Sequence, residues 1–115
     1  MINLEVIGRI GQEAKCQTLN DGRFAINFSV CDNVRITDKT TGEIKEFPQW
    51  FAVSYFTRSD KVLQYLKKGV QVYVSGDFRI DEYLNQQTNQ VRYSPQITAS
   101  RVQILTFDEK KEDQK

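Results

Sequence analysis

Residues Phe47 to Phe56 read FPQWFAVSYF, a run that places aromatics on both sides of an extended chain. Side chains alternate faces along a strand, so Phe51, Val53 and Tyr55 share one face while Trp50, Ala52, Ser54 and Phe56 share the other. The first set has the composition of a core. The second mixes two large aromatics with small or polar residues, which suits a platform for flat apolar ligands, and nucleic-acid bases are such ligands. A strand sandwiched between two apolar layers would carry the same double loading. From this strand alone both readings stand.

Other chemistry is sparse. The chain has no histidine and only two cysteines, so the usual ligands for zinc, copper or haem are missing. The commonest general base and every Ser-His or Cys-His dyad go with them. No cofactor or metal is expected. Cys16 and Cys31 stand apart, without CxxC pairs, and read as reduced cysteines packed as small hydrophobes. Asp77, Asp81 and Glu82 are the carboxylates from which a magnesium-dependent nuclease could be built, but charges along a hairpin arm more often form a solvated face. Gly8-Arg9-Ile10-Gly11 lacks the strand-to-helix context of a phosphate-binding loop.

The elements that must position these residues are mostly strands. At 115 residues and 39% hydrophobic content the chain makes one ordinary globular domain. No apolar run is long enough to span a membrane, and the amino terminus alternates instead of forming a signal segment, so a cytoplasmic protein is expected. Ile2, Leu4 and Val6 alternate before Gly8 and Gly11 mark a bend or bulge. Asn20-Asp21-Gly22 signals a turn, and Phe24, Ile26, Phe28 and Val30 then alternate as a half-buried strand. Arg35 to Glu46, polar around Thr40-Thr41-Gly42, reads as a projecting hairpin arm. Val62, Leu63 and Leu66 repeat at helical spacing behind a cap at Thr57 or Ser59, with Gly69 just past the end, and predict one short helix. Val70, Val72 and Val74 resume the alternation, Gly76 marks another bend, and Asn85 to Gln90 is a second polar hairpin tip. Val91 to Ala99 and Arg101 to Phe107 complete the sheet, with Pro95 at an edge, bulge or strand start.

Such a pattern predicts an all-β, five-stranded OB-fold barrel with projecting β-hairpins and one short helix, occupying residues 1–107; residues 108–115 form a short disordered charged tail. In an OB-fold the face of strands 2 and 3 is the usual oligonucleotide-binding surface, and Trp50 and Phe56 fall there. Sixteen Lys and Arg against fifteen Asp and Glu leave a net charge of only +1. Binding to a polyanion would therefore depend on where the charge sits.

The segments IGRIGQ, DKTTGEIKEFPQWFAVSYF, VLQYLKKGVQVYVSGDFR and Arg92-Tyr93, in this order and at these separations, resemble the bacterial single-stranded DNA-binding protein family over about Ile2 to Leu105. The resemblance implies sequence-independent binding and protection of single-stranded DNA in replication, recombination and repair, by a non-enzymatic, nucleoid-associated homotetramer. Carried over residue by residue, it implies base stacking on Trp50, Phe56 and Tyr83. It implies phosphate contacts from Lys39, Lys45, Arg58, Lys67, Lys68, Arg79 and Arg92. This chain departs from the family where a further aromatic is expected near Val34 or Ile36, where Phe51 stands for a frequent histidine, and in the less basic Arg79-Ile80-Asp81-Glu82. The long tail with an acidic tip is absent, which leaves recruitment of replication enzymes doubtful. An adaptor of the primosomal type, binding DNA and a protein partner, is the alternative, with the nuclease after it.

Overall fold

The computed structural model describes residues 1–106, so the expected disorder of residues 108–115 lies outside the described residues. Five strands, β1 (Asn3–Thr18), β2 (Phe24–Thr37), β3 (Ile44–Thr57), β4 (Gln71–Asn85) and β5 (Gln90–Ile104), close in the order β1-β2-β3-β5-β4. Every ladder is antiparallel except the short parallel pairing of β3 with β5 over Ala52–Tyr55 and Gln96–Ala99. The all-β barrel expected from the alternation is the one observed.

Alternation builds the interior. Val6 and Ile10 from β1, Ile26, Phe28 and Val30 from β2, Val53 from β3, Val72 and Val74 from β4, and Ile97 and Ala99 from β5 make one buried cluster. Closure depends on β1 serving two partners. It pairs with β4 from Asn3 to Arg9 and with β2 from Arg9 to Thr18, and register shifts around Gln12 let it turn the corner. Gly76 sits at the matching irregularity of β4, where a Cβ would run into the Thr98 carbonyl and stand 2.7 Å from the Ala99 Cα. Only glycine lets the two backbones come that close.

Two hairpins leave the barrel. The β2–β3 ladder runs on to Thr37 opposite Ile44, far beyond the contact of β3 with β5, and residues 32–50 are exposed throughout. The turn is set by Asp38, whose carboxylate accepts from the Thr40 amide at 2.8 Å, and by Gly42 at φ +76°. The β4–β5 ladder extends likewise to Asn85 opposite Gln90. Pro95 lies within β5, one residue before the parallel pairing to β3 begins at Gln96, where it has a neighbour on the β4 side alone.

Three details differ from the sequence reading. The helix is a single 3₁₀ turn, Lys61–Tyr65, with Leu63 and Leu66 amides bonded three residues back. The Thr57 and Ser59 hydroxyls accept from the amides two residues on, at 3.3 Å each, instead of capping a longer helix. Leu66 leaves the turn to bury its side chain and to accept from the Ala14 amide, so docking on β1 overrides helical propensity. The two apolar stretches read on either side of Ser100 run together as one continuous β5, with Ser100 as an unpaired bulge residue between Ala99 and Arg101. Both cysteines are free, but Cys16 is exposed and Cys31 half-buried, so the packing role expected of Cys16 is not met. Its partner Ile26 fills the interior at that level without it.

Candidate nucleic-acid interface

The parity of β3 is the one read from its sequence. Val53 is 1% exposed, while Trp50 and Phe56 on the other face are 50% and 43% exposed. Phe51 and Tyr55 follow Val53 inward but are only half-buried, and Phe51 meets Phe78 edge-on with ring centroids 6.3 Å apart. Across the ladder, Trp50 stands opposite Cys31, Ala52 opposite Ser29, Ser54 opposite Asn27 and Phe56 opposite Ala25. Two large rings therefore flank a floor of small and polar groups, and the floor is tied together where the Ser54 hydroxyl donates to the Asn27 side chain at 2.8 Å. At ~3.3 Å per residue the six positions from Trp50 to Phe56 span about 20 Å.

On one side the surface continues onto β1. Lys15 pairs with Asn27, and the six-membered ring of Trp50 reaches across β2 to Gly11. On the other side Gln96 and Thr98 of β5 adjoin Ala52 and Ser54, and Arg79 and Asp77 of β4 adjoin Gln96 and Thr98. Following that parity outward, Tyr83, 54% exposed, and its cross-strand neighbour Arg92 lie on the same outward face of the β4–β5 arm.

The basic residues singled out from the sequence are less uniformly arranged. Arg58 directly follows the end of β3, and Lys67 and Lys68 lie exposed on the link between the 3₁₀ turn and β4, beside β1. Lys39 occupies the tip of the β2–β3 arm. Lys45, paired with Ile36 and in step with Phe47, projects from the face of that arm opposite to Trp50. Arg79 bonds the Asp81 carboxylate at 3.0 Å and the Thr98 hydroxyl at 3.2 Å, so its guanidinium already has partners within the protein. Two further cations were not picked out from the sequence. Lys15 borders the floor, and the Arg23 guanidinium lies 5.8 Å from the Phe56 ring centroid. Arg23 also pairs with Asp21, whose carboxyl its backbone and side-chain hydrogen bonds hold below the usual carboxylate range. The available signal was position: Arg23 stands two residues before Ala25, the cross-strand partner of Phe56.

The carboxylates do not converge. Asp77 and Asp81 share the outward face with Arg79 between them, while Glu82 falls on the other side of the arm, and no group of three or more metal-binding side chains occurs among the described residues. Among those residues no helix is long and apolar enough to cross a membrane.

Comparison with known proteins places the chain's family and fold. The sequence profile of the single-strand binding protein family matches residues 1–105. Single-stranded DNA-binding protein 1 of Xylella fastidiosa (strain 9a5c) is 31% identical over 103 residues, spanning 89% of this chain and 75% of that protein. A Plasmodium falciparum SSB solved in complex with ssDNA superposes with a TM-score of 0.74 at 25% identity, covering 92% of this chain and 96% of that one. A small single-stranded DNA-binding protein from Streptomyces coelicolor shares the fold, with a TM-score of 0.74 at 19% identity over 90% of this chain and 94% of its own. With nearly its whole described length matched, the chain belongs to the single-strand binding protein family.

Proposed function

We propose that this protein, a member of a non-enzymatic family, binds and protects single-stranded DNA without sequence preference in replication, recombination and repair. The observation that carries the reading is the outward face of β3, where Trp50 and Phe56 stand half exposed on either side of a small polar floor. Stacking on such rings contributes about 1–3 kcal/mol per base and tolerates any base, because every base has a π-face. Tyr83 adds a third platform on the β4–β5 arm. Lys15, Arg23, Arg58, Lys67, Lys68 and Arg92 border the strand's path and take its phosphates. Lys39 and Lys45 engage DNA that passes around the β2–β3 arm, and Arg79 joins by exchanging Asp81 for a phosphate.

Assembly into a homotetramer completes the proposal. The segment Asn3–Ile7 of β1 is paired with β4 but not with β2, which leaves one strand edge open beside exposed Ile2 and Ile7. A single OB domain covers only about 4–16 nucleotides, so several copies are needed to protect a long strand. Competition between a dT oligonucleotide and a duplex of equal length, with sedimentation of the free protein, tests the proposal. The expected result is a tetramer that prefers the single strand by orders of magnitude. A monomer, or equal affinity for duplex, contradicts it.

A further inference from the structure

We propose that Gly11 is a positioning residue for the binding face: the side chain it lacks is the seat in which the Trp50 indole rests. This rests on the reading that Trp50 stacks on bases. Three glycines of the sheet have something pressed against them, and the neighbours differ in kind. A Cβ at Gly8 would collide with the Cys31 carbonyl, and one at Gly76 with the Thr98 carbonyl. Those two serve the approach of strand to strand. A Cβ at Gly11 would instead overlap Cζ3 of Trp50 and sit 2.5 Å from its Cη2, with the Ser29 hydroxyl next at 3.2 Å and no backbone among its nearest neighbours.

Backbone conformation does not ask for glycine there either. The glycines at positive φ are Gly22, Gly42 and Gly69 among the described residues, and Gly11 is not one of them. Its place in the fold explains the contact. Trp50 pairs with Cys31 on β2, Gly11 lies on β1 between the pairs Ile10 with Val30 and Gln12 with Ser29, and the indole spans β2 to reach it. One edge of the ring is thereby held by the irregular stretch of β1, while half of the residue's surface remains open. A ring held before DNA arrives avoids the loss on ordering a free side chain, roughly two- to tenfold in affinity.

A double-mutant cycle reads the seat directly, using dT oligonucleotide anisotropy on wild type, Gly11→Ala, Trp50→Ala and the double variant. Gly11→Ala is expected to weaken binding by about two- to tenfold or more, up to the loss given by Trp50→Ala, and to have no effect in the Trp50→Ala background. Emission of Trp50, the only tryptophan, should shift to the red in Gly11→Ala while the melting temperature holds. Equal losses in both backgrounds, or no loss in either while Trp50→Ala weakens binding, overturns the seat and leaves the stacking role intact. Trp50→Ala binding like wild type removes the stacking role, and the seat with it. Should Gly11→Ala unfold the protein, the Gly11→Ala/Trp50→Phe variant decides: its shorter ring is expected to restore folding and the affinity of Trp50→Phe alone, and failure to restore them contradicts the proposal.

Discussion

Replacing Trp50 and Phe51 by alanine, one at a time, separates ligand face from core at adjacent positions of one strand. Trp50 is 50% exposed and touches Gly11 on β1, so its removal takes little from the interior. Its cost belongs to binding, about 1–3 kcal/mol, or roughly 5- to 150-fold in Kd. Phe51 is half-buried against the core and edge-on to Phe78. A fully buried Phe→Ala change costs ~3–5 kcal/mol; half burial lowers this to about 2–3 kcal/mol, of which the lost ring pair accounts for ~0.5–1.5. In a domain of this size that is a drop of roughly 9–14 °C in Tm. Thermal melts and dT titrations on both variants supply the two readouts. Trp50→Ala should melt close to wild type and bind weakly, and Phe51→Ala should melt early with its folded fraction binding normally. The reverse pattern would mean that the face assignment of β3 is inverted.

Affinity should fall as salt rises, with a slope of log K against log salt of about −0.7 for each phosphate neutralised; a flat dependence measured by titration at several salt concentrations would remove the cationic border. Trp50→Ala and Phe56→Ala, about 20 Å apart on the strand, should combine additively in binding to within ~0.5 kcal/mol, and a strongly non-additive double variant would place both rings on one base. Gly76→Ala should destabilise the barrel by about 1–3 kcal/mol in denaturant melts, since the clash is with the Thr98 carbonyl and the Ala99 backbone, while the folded fraction keeps its affinity; unchanged stability would refute the close approach of β4 to β5.

Much of this surface was legible because a strand has a period of two. Once Val53 is taken as core, Trp50 and Phe56 must face outward, and alternation alone gave the buried Ile26, Phe28, Val30, Val72 and Val74. Glycine was legible as interruption but not as cause: Gly8 and Gly76 make room for backbone and Gly11 for an indole, a distinction that depends on which strand lies across from each. Helical spacing predicts a longer helix than the 3₁₀ turn observed because Val62, Leu63 and Leu66 all do point inward, and the hydrogen bond from Ala14 to Leu66 that ends the turn is tertiary. Parity gives Phe51 a direction and not a depth, and it is only half-buried where the arm leaves the barrel. Lys45 was carried over from a family pattern, and register puts it behind the arm relative to Trp50. Lys15 and Arg23 carry no signal in the alternation because both enter the site from flanks of turns and bulges, where simple alternation stops counting.

The most direct test of the account is the fluorescence of Trp50 during titration with poly(dT). Because this chain has one tryptophan, the whole signal reports one position on the outward face of β3. Stacking of a base on the indole predicts strong, saturable quenching, shared by poly(dA) and poly(dC) and reversed by salt. Tight binding that leaves the emission of Trp50 unchanged would place the DNA elsewhere and contradict the site.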